Sequence, residues 1–124
     1  MKTITKTNIP NWEQKVQQDE ELQSLIGTHS FSVLLKLADE KLLCSVQDKS
    51  VKFKNEITID DVWDFSITIP EQAWENFLSP VAPAFHNTLQ AMIFTQEGVS
   101  IEGNRLVWAQ SINIIERILL LARE

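Results

Sequence analysis

A chain of 124 residues with 44% apolar, 23% charged and 8% aromatic side chains has the size of one domain. Such a domain buries roughly two thirds of its unfolded surface, enough for a core without staples. Three glycines and four prolines exclude collagen-like and low-complexity structure and argue against extensive disorder. The formal charge of −6, from 17 acidic and 11 basic residues, opposes phosphate backbones and anionic lipid surfaces. Nucleic acid is therefore not expected as a main partner.

Residues 1–8 are polar and read as a loose N-terminus of a single domain spanning 1–124. They lack the apolar stretch of a signal peptide. Asn11 with Gln14 three residues later resembles a capping box, and Trp12, Val16, Leu22, Leu25 and Ile26 follow at imperfect helical spacing. This predicts one helix or two short ones over residues 11–26, stopped by Gly27. The run Asp19-Glu20-Glu21 is either a solvated face or, through Asp19, the cap of a second helix.

From Phe31 the period changes to two. Phe31, Val33, Leu35 and Leu37 alternate with Ser32, Leu34, Lys36 and Ala38; Leu42, Cys44 and Val46 alternate after a turn at Asp39-Glu40; Val51 and Phe53 follow a turn at Asp48-Lys49. Three such runs joined by short turns predict an antiparallel meander, with Lys52 and Lys54 keeping the far face of its third strand wet. Cys44, the one cysteine, allows neither an intrachain disulfide nor a cysteine-based zinc site, and its apolar neighbours mark it as a small buried hydrophobe. A fourth strand runs through Phe65, Ile67 and Ile69, with Asp64, Ser66 and Thr68 on its polar side.

Pro70-Glu71-Gln72 is first-turn helix chemistry, since proline lacks a donor where none is needed and the glutamate meets the positive helix end. Trp74, Phe77 and Leu78 recur at helical spacing, Pro80 and Pro83 bracket a break, and Phe85, Leu89 and Met92 trace a second helix. Val99-Ser100-Ile101 reads as a short strand between Gly98 and Gly103. A long helix closes the chain at about residues 105–123. Its apolar residues form two adjacent stripes, Trp108-Ile112-Ile115-Leu119-Ala122 and Val107-Ile114-Ile118-Leu121, an arc wider than one surface usually needs. A ligand, a second subunit or a deep core would each account for it. The longest unbroken apolar run, Ile118 to Ala122, is far short of the roughly twenty residues of a membrane span. The simplest placement is cytoplasmic.

Catalytic patterns are missing. There is no G-x-S-x-G, phosphate-binding glycine loop, H-E-x-x-H or dinucleotide fingerprint, and no cofactor is implied. His29 reads as an exposed or capping residue; His86 is either an ordinary polar residue at a helix start or a group at a cavity mouth, where Asn87 is its companion. Asp60, Asp61 and Asp64 have the hard oxygens of a calcium or magnesium site, but not the spacing of an EF-hand loop, and read as a solvated turn. The aromatics are four tryptophans and six phenylalanines with no tyrosine, enough bulk to wall a cavity or to fill a core.

The segments Phe31-Ser32-Val33-Leu34-Leu35-Lys36, Phe65-Ser66-Ile67-Thr68-Ile69 followed by Trp74, Phe85-His86, and Val99-Ser100-Ile101-Glu102-Gly103-Asn104 before a terminal helix give the chain a familiar order. From Phe31 to Leu121 it resembles the sterol carrier protein type-2 family of small lipid-binding domains, as a divergent stand-alone bacterial-type member. The turn that is commonly Gly-Asp in that family is Gly103-Asn104 here. The resemblance implies an α+β fold: a twisted, mostly antiparallel five-stranded sheet with helices packed on one face. It also implies an apolar cavity between sheet and helices for a fatty acyl, sterol-like or similar ligand, bound without catalysis. Carried over by helical spacing, the walls are Trp74, Phe77, Phe85, Leu89, Met92, Trp108, Ile112, Ile115 and Leu119, with His86 at the mouth. The alternative is an interaction or accessory module, a homodimer or a hydrolase-associated domain, that uses the wide face of the last helix.

Overall fold

The computed structural model describes residues 9–79, 81, 84 and 86–123. The expected loose segment 1–8, the proline break at Pro80 and Pro83, and Phe85 lie outside the described residues. The chain runs α1 (Ile9–Gln18), α2 (Glu20–Ile26), β1 (Phe31–Leu37), β2 (Glu40–Gln47), β3 (Ser50–Lys54), β4 (Phe65–Ile69), α3 (Glu71–Leu78), α4 (Leu89–Thr95), β5 (Ser100–Gly103) and α5 (Arg105–Arg123). It is an α+β fold with one mixed five-stranded sheet.

Two helices form over the first stretch because Asp19 ends one and starts the other. Its carboxylate accepts from the Leu22 N–H at 2.9 Å, an N-cap that satisfies a donor with no partner inside the helix. Asn11 does not open α1, which already includes Ile9 and Pro10; proline in the first turn sacrifices no hydrogen bond.

The sheet order is β3-β2-β1-β4-β5, with β1–β2, β2–β3 and β4–β5 antiparallel and β1–β4 parallel. The first hairpin turns at Ala38-Asp39, one residue earlier than expected, because Leu37 pairs with Glu40. Ala38 then adopts φ 59°, with its N–H donating to the Ile69 carbonyl at 2.9 Å. The second turns at Asp48-Lys49, both at positive φ, the backbone a two-residue hairpin requires. The residues 55–64 carry the chain from β3 to β4, on the other side of the β2–β1 pair.

Val33, Leu35, Leu37, Leu42, Cys44, Val46, Phe65, Ile67 and Ile69 lie on the sheet face that joins the core beneath the helices. The opposite face is less polar than alternation suggests. Leu34 pairs with Leu43 on one side and Ser66 on the other, and all three are buried outside the main core. β4 is therefore buried on both faces at Ser66, and not half-solvated along its length as the sequence implied.

The free edge of β3 is covered. Glu13 of α1 accepts from the Phe53 N–H at 2.8 Å, and the Gln17 amide donates to the Val51 carbonyl at 2.9 Å. An uncovered edge is a template for unwanted pairing, and α1 removes it.

α5 uses its wide apolar arc within the chain: Ile114, Ile115, Ile118, Leu119 and Leu121 are buried. Polar contacts fix it to five other segments. Trp12 Nε1 of α1 donates to the Ile118 carbonyl at 2.9 Å. The Glu116 carboxylate accepts from the Leu89 and Gln90 N–H groups at the start of α4, at 2.8 and 2.9 Å. Arg123 donates to the Phe77 carbonyl at 2.6 Å and the Asn87 carbonyl at 3.2 Å, its guanidinium 4.4 Å from the centre of the Phe77 ring. Arg117 forms a two-armed contact with Asp19, Nε to Oδ2 at 2.9 Å and Nη2 to Oδ1 at 2.8 Å.

The hydrogen bonds from Arg117 hold the Asp19 carboxyl below its ordinary pKa. A depressed carboxylate stabilises the fold fully above its unfolded-state pKa, and that contribution fades as pH falls through the lower folded value. Asp19→Asn keeps an oxygen for the cap and removes the charge. Its expected loss at pH 7 is about 1–2 kcal/mol, shared between a fork-like ion pair and its part-buried setting. In urea unfolding the gap to wild type closes as pH drops below about 4; a gap unchanged down to pH 2 would show that Asp19 does not act through its charge.

Candidate functional site

α4 is short and pinned at both ends. Thr88 Oγ1 accepts from the Ala91 N–H at 3.1 Å, and the Glu116 carboxylate takes the two preceding donors. This places the helix start at Leu89, so His86 lies in the connection before it and not in its first turn. At the other end, the Val99 N–H donates to the Gln96 carbonyl at 3.3 Å and turns the chain into β5. β5 is the sheet's last strand, and the first half of α5 lies beside it. A wedge opens between these three elements.

That wedge is a pocket of about 380 Å³. Its lining comprises Gln90, Ile93 and Phe94 from α4, Val99, Ser100 and Ile101 at β5, and Arg105, Trp108 and Ile112 from α5. The apolar members form its walls. Trp108 is half-buried, and its ring meets Phe65 edge-on, at 5.8 Å between centroids and 64° between planes, which anchors the indole to the sheet. Phe94 is 85% exposed, an unusual position for a large apolar side chain. The volume lies toward the small end of the roughly 300–1,000 Å³ of small-molecule sites.

A second hollow of about 290 Å³ lies between α2, the α3–α4 connection and α5, lined by Glu21, Leu25, Phe77, Asn87, Thr88, Asn113, Glu116, Arg117 and Leu120. Two of its charged groups are committed, Glu116 to capping α4 and Arg117 to Asp19, while the third, Glu21, is exposed and lies 3.9 Å from Arg117.

Of the residues predicted as walls, Trp108 and Ile112 line the open pocket. Trp74, Leu89, Met92, Ile115 and Leu119 are buried in the main core. Phe77 reaches the second hollow, its ring stacked at 5.6 Å on Trp74. The Trp74 indole N–H is buried with no acceptor among the described residues. His86 Nδ1 lies 3.0 Å from the Ala84 carbonyl, and its Nε2 lies 3.4 Å from the Asn76 amide nitrogen. His29 is exposed, with Nδ1 3.0 Å from the Ile26 carbonyl. Spacing of three and four selects the helix face turned toward the sheet; the pocket lies at the edge of that face. The pocket's other lining residues, Gln90, Ile93, Phe94, Val99, Ser100, Ile101 and Arg105, are not among the predicted walls. A usable signal was Ala91-Met92-Ile93-Phe94, more consecutive apolar positions than a two-turn helix can turn inward.

The remaining chemistry is structural. Cys44 is fully buried, and burial, aided by the charge of Glu13, pushes its thiol up to about 12. Asp61 is held below its ordinary pKa by Lys54, 2.8 Å away, and also accepts from the Thr58 N–H. Asp64 accepts from the Ser32 N–H at 2.8 Å and so ties the crossover to β1. Among the described residues, no three His, Cys, Asp or Glu side chains are grouped to hold a metal. No helix among them is long and apolar enough to cross a membrane.

No protein-family model matches the chain, and no curated protein does. Solved structures do. The crystal structure of sterol carrier protein 2 aligns with a TM-score of 0.62 at 16% identity, over 93% of this chain and 92% of that one. A conserved hypothetical protein of Thermus thermophilus, described as a possible sterol carrier protein, aligns at 0.58 and 14% identity, over 90% and 81%. The ubiquinone synthesis protein UbiJ-SCP2 aligns at 0.57 and 8% identity, over 91% and 90%. The fold is SCP2-like.

Proposed function

We propose that this chain is a non-enzymatic, cytoplasmic binder or carrier of an apolar small molecule, a fatty acyl or sterol-like lipid, held in the pocket between α4, β5 and α5. The observation that carries the reading is the pocket's chemistry. Six of its nine lining residues are apolar, and the polar three, Gln90, Ser100 and Arg105, include no general base. Binding there is partition: apolar ligand surface leaving water contributes about 25 cal/mol per Å² before ordering is subtracted. The names of two of the aligned proteins, sterol carrier protein 2 and the possible sterol carrier of Thermus thermophilus, support the same ligand class.

Saturable binding of a fluorescent fatty acid or sterol at close to one per chain is the expected result. Ile112→Asp puts an unpaired negative charge in the wall and is expected to weaken binding at least about tenfold. Far-UV circular dichroism and the urea midpoint serve as folding controls. Absence of saturable binding across a lipid panel by the folded protein, or equal affinity in the variant, defeats the reading of this pocket.

A further inference from the structure

Acidic residues outnumber basic ones 17 to 11 in the chain, yet the pocket lining includes one ionisable side chain, and it is a cation, Arg105. The other two arginines are engaged: Arg117 with Asp19, Arg123 with the carbonyls of Phe77 and Asn87. Arg105 makes no hydrogen bond or ion pair among the described residues and is exposed at the pocket's rim. It is the first residue of α5, where the helix dipole adds positive potential. The Asn104 carboxamide oxygen accepts from the Leu106 and Val107 N–H groups, both at 3.1 Å, so the cap satisfies the backbone and the guanidinium is left over. The nearest acid in sequence does not take it. Glu102 pairs with Ser66, on the far face of the sheet, whereas Ile101 faces the core.

A neutral hydroxyl has no need of a cation. A carboxylate matches a guanidinium fork with two parallel hydrogen bonds. We infer that the pocket selects a single-tailed anionic amphiphile, a monocarboxylate whose head group pairs with Arg105 while its tail lies among Ile93, Val99, Ile101, Trp108 and Ile112. This rests on reading the pocket as a carrier site, and it goes further by making Arg105 the residue that sets head-group preference. The modest volume favours one tail over a two-chain lipid.

The test is calorimetric titration of the whole chain at pH 7 with decanoate and with decanol, in wild type, Arg105→Gln and Arg105→Lys. The expected result is about a fivefold loss of decanoate affinity in Arg105→Gln, the upper range for a rim ion pair. Decanol affinity stays the same, Arg105→Lys recovers part of the loss, and added salt weakens decanoate binding to wild type and to Arg105→Lys but not to Arg105→Gln. Decanoate binding unchanged in Arg105→Gln, or decanoate and decanol weakened equally, overturns the head-group pairing and leaves carriage intact. Binding of neither ligand by folded wild-type protein overturns the carrier reading and this inference with it.

Discussion

Trp12→Ala is expected to lower the unfolding free energy by about 4 kcal/mol, within the usual span for deleting a buried tryptophan. Trp12 is 1% exposed and joins four elements. Its ring lies 4.7 Å from Phe53 of β3 and 6.2 Å from Trp74 of α3, and its N–H reaches the Ile118 carbonyl of α5. Removing it opens a void that none of these can fill, because each is held by other contacts. It also frees α1, whose Glu13 and Gln17 cover the edge of β3, so aggregation is expected to rise with instability. Trp12→Phe separates packing from hydrogen bonding. The Ile118 carbonyl lies inside a helix and keeps its intrahelical partner, so losing the indole donor costs only about 1 kcal/mol beyond the volume change. Urea unfolding of the two variants decides: equal losses would mean the hydrogen bond, and not the aromatic cluster, ties α1 to the core.

What the sequence made legible follows from how far along the chain each signal acts. The alternation of Val33, Leu35 and Leu37 and of Leu42, Cys44 and Val46 located strands, their inward faces and the meander, because each hairpin is a local event. Asp19 as a helix cap and Asp48-Lys49 as a turn were equally local. The parallel pairing of β1 with β4 was not, since period-two alternation gives a strand's faces and says nothing about its neighbours. The burial of Leu34, Leu43 and Ser66 on the far face depends on that pairing and was missed for the same reason. The SCP2-like order of elements was visible in the strand segment before Trp74 and in the Val99–Asn104 turn. The pocket was only partly visible. Helical spacing finds side chains that face the sheet, whereas a gap arises where α4, held by Glu116, fails to close against β5. Glu116 and Arg105 carry no periodic signal, because their roles depend on partners far away in sequence.

Gly103→Ala is expected to cost about 2–4 kcal/mol, far more than a methyl group usually does. Gly103 has φ +114°, a conformation L side chains rarely adopt, and an added Cβ would stand 2.8 Å from both the Asp64 carbonyl oxygen and the Phe65 Cα. Both are backbone atoms and cannot rotate away. They are also engaged: Phe65 is Gly103's partner in the β4–β5 ladder, and the Asp64 carbonyl accepts from the Asn104 N–H at 2.8 Å. Relief requires β5 to move off β4, which shifts Val99 and Ile101 in one wall of the pocket and the start of α5, with Arg105, at its rim. Weakened ligand binding is therefore expected under conditions where the variant is still folded. Gly27→Ala supplies the comparison. Gly27 has φ +52° and ψ −116°, but an added Cβ meets nothing within 4 Å, so backbone strain alone applies, about 1–3 kcal/mol. If urea unfolding gives the two variants equal losses, positive φ accounts for both and the close approach of β5 to β4 contributes nothing.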